Sequence, residues 1–346
     1  MQYRQVGDTD LRLPEIGFGT GDNAGLLVLA DGDQRRAAVK RALELGINYF
    51  DTSPDYGKGR SEVHLGDALR ELGQTAVIST KVEIMPEHLG MIAEHVEESV
   101  LASLFRLGLS SVDVVEIHNP VAAQHRTSVR RWTPVTVADV LGAGGALEAL
   151  KRLRDQGKVR YFGFACESAE PDAVKELLDT REFHLINVWF NLLNPTAGVR
   201  APAGLSVGRD YGEIINHAHQ RGVGVAVIRP LASGALTRQA QGIEGRHPLA
   251  SSVHMSMDME AYFGEVRKAS AFNFLVRDDR SLSQAAYRFL LQHPGVTTVV
   301  SGPSDLEQLE EVAAWSNTPP LSEQELERMA EVWRTNFGAL AGAPGA

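Results

Sequence analysis

The chain has 346 residues, enough for two average domains or for one barrel with insertions. It is 43% hydrophobic and 23% charged, as ordinary globular proteins are, and a formal net charge of -10 argues against nucleic acid or an anionic membrane as a partner. The single cysteine, Cys166, excludes an intramolecular disulfide and a multi-cysteine zinc site. The N-terminus lacks a basic-then-apolar leader pattern, and no apolar run approaches the roughly 18 residues of a membrane span, so a cytoplasmic location is expected.

In chain order, residues 3–13 read as a hairpin turning at Gly7-Asp8. A first strand follows at 15–19. Then a phrase recurs: an amphipathic helix, a glycine, and a short apolar strand. The helix over 34–45 ends at Gly46 before a strand at 47–51, and the helix over 61–72 ends at Gly73 before one at 77–81. A long helix apolar at Ile92, Val96, Val100, Leu104 and Leu107 ends at Gly108 before 112–118. The helix over 146–156 ends at Gly157 before 161–164, and the strand at 185–190 makes a sixth. A helix closing at Gly222 precedes 225–228, and the helix over 283–292 runs through Pro294-Gly295 to 297–300. Each glycine stands where a helix takes a left-handed terminator.

Eight short apolar strands alternating with helices predict a parallel sheet closed into a (β/α)8 barrel, an α/β TIM barrel with an N-terminal β-hairpin, in a single domain over 1–346. The dinucleotide fingerprint G-x-G-x-x-G is absent after the first strand, which reads Gly17-Phe18-Gly19-Thr20-Gly21, and this counts against a doubly wound sheet. Two stretches, 119–145 and 231–257, are too long for simple turns and are expected to shape the active-site face. An extra C-terminal helix is expected over 322–336, with a frayed tail after Leu340.

In such a barrel the reactive side chains come from the C-terminal ends of the strands. Those positions hold Asp51 after the second strand, Tyr56 in the next loop, Lys81 ending the third and His118 ending the fourth. A free tyrosine, with a pKa of about 10, is a poor acid near neutrality. A nearby ammonium lowers that value, and a carboxylate keeps the ammonium charged and oriented. A histidine reaching the same oxygen can polarise or position a carbonyl. The set suits protonation of a carbonyl oxygen that receives a hydride. Nucleophilic hydrolysis is disfavoured, because no serine or cysteine pairs with a histidine in these loops.

The run Asn48-Tyr49-Phe50-Asp51-Thr52-Ser53-Pro54-Asp55-Tyr56-Gly57 resembles the first signature of the aldo-keto reductase superfamily. Ser79-Thr80-Lys81 and Ile117-His118 match its next two stations, and the likeness runs from Tyr3-Arg4 to Gln308. The resemblance implies Tyr56 as general acid, Lys81 and Asp51 as the groups that lower its pKa, and His118 as the group that orients substrate. It implies NADP or NAD as cofactor, with Gly19, Thr20 and Asp51 beside the nicotinamide, Phe190 stacked on its ring and Asn187 as its amide partner. Arg229, Pro230, Leu231, Ser233, Gly234 and Leu236 would cover the pyrophosphate, and Gly302, Ser304 and Gln308 the adenosine end. Ala165-Cys166 stands where the family has Ser-Asn, so Cys166 occupies a cofactor-lining position without the usual carboxamide. Ser304 stands where NADP users carry Arg or Lys, and Val312 where Asn is common, which leaves NADP against NAD open.

Cys166 reads as an apolar filler rather than a reactive thiol. Arg126, Arg130, Arg131 and Trp132 read as a solvated loop rather than an anion clamp, and no histidine pair has metal-ligand spacing. The implied partner is a small-molecule aldehyde, ketone or sugar-like carbonyl. A cofactor-binding regulatory protein is the alternative, and the intact tetrad disfavours it. Physiological substrate, direction and oligomeric state are not fixed by these patterns.

Overall fold

A parallel barrel closes through its first and last strands. In the computed structural model, which describes residues 1–126, 133–237 and 259–339, the strands are β1 (Ile16–Gly19), β2 (Tyr49–Asp51), β3 (Val77–Val82), β4 (Val112–Ile117), β5 (Val159–Ala165), β6 (Leu185–Trp189), β7 (Gly224–Ile228) and β8 (Thr298–Ser301). They neighbour one another in chain order, and β8 pairs with β1 through Val300 and Gly17. All eight pairings are parallel, as short apolar strands joined by helices require. Five of the expected left-handed terminators are present, Gly46, Gly73, Gly108, Gly157 and Gly222, whereas Gly295 is not left-handed and the helix before it closes at His293 in extended backbone.

Helix starts follow the side chains that can cap them. Asp31 accepts from the Gln34 N–H at 2.8 Å while Gln34 Oε1 accepts from the Asp31 N–H, opening helix Gly32–Glu44. Ser281 and Ser322 cap Leu282–Gln292 and Glu323–Arg334 in the same reciprocal way. The last of these is the expected extra helix, and its Trp333 Nε1–H donates to the Leu192 carbonyl at 2.9 Å.

The hairpin, Tyr3–Gln5 paired antiparallel with Arg12–Pro14, seals the floor of the barrel. Its Val6, Leu11 and Leu13 pack with Tyr49, Val114, Leu185, Ala226 and Val300 from the barrel interior. The hairpin turn abuts the β7 entry, where the Asp8 N–H donates to the Gly222 carbonyl at 3.0 Å. With the floor shut, the other end of the barrel is left to carry the site.

Three segments depart from the expected layout. The stretch 119–145 carries a small parallel ladder, Val121–Ala122 with Val135–Thr136, and a short helix, Val137–Leu141. A third long connection, 190–213, follows β6, with Asn191 and Asn194 standing in for backbone partners. Helix Met259–Ser270 was not among the expected elements. Arg130, Arg131, Trp132, most of 231–257, and the tail after Leu340 lie outside the described residues.

Candidate active site

The mouth is built by strand alternation. Asp51 on β2, Lys81 on β3 and Asn187 on β6 all point inward at the upper end of the barrel. Lys81 Nζ donates to Asp51 Oδ1 at 2.6 Å and to the Thr52 carbonyl at 2.9 Å, while Asn187 Nδ2 donates to Asp51 Oδ2 at 2.9 Å. The lysine is 1% exposed and the aspartate 2%, so this is a buried ion pair whose charges must satisfy each other. The Lys81 ammonium stands 5.2 Å from the centroid of the Tyr56 ring. The His118 ring meets that of Tyr56 edge-on, with centroids 6.0 Å apart. His118 Nδ1 lies 3.2 Å from Glu83 Oε1 and 3.4 Å from Ser53 Oγ, which fixes the orientation of the imidazole. The four residues named from the sequence thus converge on one mouth.

The electrostatics differ from the simple expectation. Burial pushes the Tyr56 phenol up; Lys81 pulls it down, but Asp51, Glu116 and Glu167 add to the upward push, and the balance lies above the ordinary value. Burial alone would depress Lys81, yet Asp51 and the surrounding groups hold it above its ordinary value, so it is a cation at every working pH. Lysine charge is therefore secured, while the acidity of Tyr56 is a contest between burial and several carboxylates on one side and one ammonium on the other.

The expected cofactor residues fall at the same end in different states. Gly19 ends β1, and a Cβ there would lie 2.9 Å from Val300 Cγ1. Thr20 is 1% exposed, with its hydroxyl donating to the Asp51 carbonyl at 3.0 Å and accepting from Ser61 Oγ at 2.6 Å, so its side chain ties β1 to β2. Cys166 is sealed, burial holds its thiol well above the ordinary range, and its N–H donates to the Asn187 carbonyl at 2.8 Å. After β7 the backbone turns left-handed at Arg229, Ala232, Ser233 and Gly234, and Arg229 Nη1 donates to Ser233 Oγ at 2.8 Å. Pro230 and Leu236 are buried and Leu231 half-buried in that turn. In the loop after β8, Gly302 is exposed, Ser304 is buried, and the Ser304 N–H donates to Gln308 Oε1 at 2.9 Å.

Phe190 is a correction. Its ring is fully buried, 5.1 Å from Phe289 and 5.8 Å from His293, on the outer side of β6. A ring so enclosed has no face to offer a nicotinamide. Asn187 faces the interior, so alternation puts Trp189, not Phe190, on the inward face, and the Arg229 guanidinium lies 4.9 Å from the Trp189 ring.

Sequence reasoning also passed over Glu83, Ser53, Asn119 and Glu116. Asn119 clamps two loops, accepting from the Ile84 N–H at 2.8 Å and donating to the Ile84 and Thr133 carbonyls. Glu116 had a visible signal: it is the second of two acids in β4, and unlike Asp113 near the strand's start it turns out to be completely buried.

The Aldo/keto reductase family model matches residues 15–334. This chain belongs to the aldo/keto reductase family. As such it is an NAD(P)-dependent oxidoreductase, of a family that reduces small-molecule carbonyls. It is 26% identical over 339 residues to an uncharacterised oxidoreductase, YqkF, of Bacillus subtilis (strain 168), covering 95% of each chain. It is 27% identical over 319 residues to L-galactose dehydrogenase of Arabidopsis thaliana, covering 91% of this chain and 88% of that one. Among solved structures it is similar to the aldo-keto reductase AKR11C1 from Bacillus halodurans in its holo form, with a TM-score of 0.68, 25% identity, and coverage of 100% of this chain and 98% of that one. Among the described residues no helix is long and apolar enough to cross a membrane.

Proposed function

We propose that the chain moves a hydride between NAD(P)H and an aldehyde, ketone or sugar-like carbonyl, with Tyr56 as general acid in reduction and general base in oxidation. The observation that carries this is the sealed Asp51–Lys81 pair beside Tyr56 and His118 at one barrel mouth. The similarity to L-galactose dehydrogenase supports a sugar-like substrate.

The residues present fit a nicotinamide. Asn187 Oδ1 is buried with no hydrogen-bond partner, an orphaned acceptor suited to a carboxamide N–H. Gly19, Trp189 and the Arg229–Gly234 turn would hold the rest of the cofactor, with Arg229 as the cation for phosphate. The bound nicotinamide supplies the hydride. Every proton is handled by the chain's own groups. Tyr56 Oη gives its proton to the carbonyl oxygen in reduction and recovers it in oxidation. Lys81 stays charged beside it, Asp51 keeps Lys81 in place, and His118, pinned through Nδ1, orients the carbonyl. Ser304 offers no cation to a 2′-phosphate, so NADH serves beside NADPH.

The test is the loss of nicotinamide absorbance across a panel of aldehydes, ketones and sugars, with each cofactor. Turnover on at least one carbonyl supports the reading. Tight cofactor binding with no turnover on any of them overturns it in favour of a regulatory binder.

A further inference from the structure

β4 sends Val114, Glu116 and His118 inward, and Glu116 is the middle one. It is 0% exposed, in register with Lys81 on β3 and with Gly163 on β5. A Cβ at Gly163 would stand 2.9 Å from Glu116 Cγ and 2.4 Å from the Leu185 carbonyl oxygen, so the missing side chain there is the space Glu116 occupies. Ser79 Oγ donates to Glu116 Oε1 at 2.7 Å, while Oε2 is buried with no hydrogen-bond partner. A sealed carboxylate with one orphaned oxygen is costly, and a leucine would fill the space without that cost. The titratable groups facing it are Asp51 and Tyr49 from β2, Lys81 from β3, Tyr56 above, and Cys166 after β5.

We propose that Glu116 is a positioning residue that holds or releases one buried proton and so sets, beside the Lys81–Asp51 pair, how readily Tyr56 gives up its own. This rests on the reductase reading. Burial pushes the Glu116 carboxyl up to about 7, with Lys81 pulling down, Asp51 pushing up and Ser79 pulling down. Ionised Glu116 in turn pushes the Tyr56 phenol up and makes it a weaker acid. The protonated form removes that push. Carbonyl reduction therefore weakens as the pH rises through about 7.

The experiment is the pH profile of kcat for carbonyl reduction in wild type, Glu116→Gln and Ser79→Ala. Wild type is expected to lose roughly threefold to tenfold across a step centred near neutrality. Glu116→Gln fixes the neutral state and should flatten the step while keeping the low-pH rate within about twofold. Ser79→Ala removes a group that favours the anion, so its step should move to higher pH. A step that persists in Glu116→Gln, or a uniform loss at every pH, overturns the proposal; so does an unmoved midpoint in Ser79→Ala. Difference infrared spectroscopy across neutral pH needs no turnover. It should show a protonated-carboxyl band that titrates and that Glu116→Gln removes. Its absence in wild type overturns the proposal even if the chain is a reductase, and its presence without any turnover would indict the reductase reading alone.

Discussion

Removing one partner of the Asp51–Lys81 pair should destabilise the whole barrel. In Lys81→Met the stem is replaced at similar volume, but Asp51 keeps its charge in a site that is 2% exposed. At 2.6 Å and an effective dielectric of about 20 the lost attraction is about 6 kcal/mol before desolvation is counted. The Asn187 amide still donates to Asp51 Oδ2, and the Thr52 carbonyl loses its ammonium donor. Removing one member of a buried pair costs about 3–5 kcal/mol on the general scale, and that is the expected loss here. Lys81→Met combined with Asp51→Asn keeps an acceptor for Asn187 and removes the stranded charge, so it should recover most of the loss. Urea unfolding followed by tryptophan fluorescence, for wild type and the two variants, measures this. A Lys81→Met loss under about 1 kcal/mol would refute the claim that these charges depend on each other. A double variant as unstable as Lys81→Met would refute it as well.

Three further outcomes follow from packing and charge. Gly66→Ala should destabilise by about 1–3 kcal/mol, because its Cβ would lie 2.2 Å from the Leu107 carbonyl oxygen where helix Arg60–Leu72 crosses helix Ile92–Leu107. Gly264→Ala, on an open helix face with only Arg267 Nη2 at 3.8 Å, should instead gain about 1 kcal/mol; equal effects of the two in thermal unfolding would contradict the close approach. Glu325 is buried, which opposes ionisation, but the Ser322 N–H and Arg280 outweigh this and hold it down at about 2. Its folded value is depressed, so its stabilisation is present above the ordinary carboxylate range and is lost as the pH falls from about 4.5 towards about 2. Glu325→Gln should be less stable by about 3 kcal/mol at neutral pH, with the gap closing in acid; a gap that does not change with pH would rule out the charge as its cause.

The barrel was legible because its grammar is local. Five of its helices close on a left-handed glycine, Gly46, Gly73, Gly108, Gly157 and Gly222, each just before a short barrel strand. The convergence of the four candidate residues was legible because strand-end position and side-chain chemistry coincide at Asp51, Lys81 and His118. Phe190 was misplaced for a physical reason: β6 is buried on both faces, so Leu185 to Trp189 shows no polar alternation apart from Asn187. Taking parity from Asn187 would have put Phe190 on the outer face. The connection 190–213 was missed because side-chain turns at Asn191 and Asn194 hold it, and these leave no periodic mark. The upward pull on Tyr56 was not legible either. It depends first on burial and then on Asp51, Glu116 and Glu167, and the burial and the last two carboxylates arise only in the closed barrel.

The central claim is that Tyr56 carries the proton, and Tyr56→Phe tests it most directly. Phenylalanine keeps the ring that stands near Lys81 and His118 and removes only the hydroxyl. With a carbonyl that wild type reduces, the variant should bind cofactor with unchanged affinity and lose about a hundredfold to ten-thousandfold in kcat. Turnover equal to wild type would contradict the account at its centre.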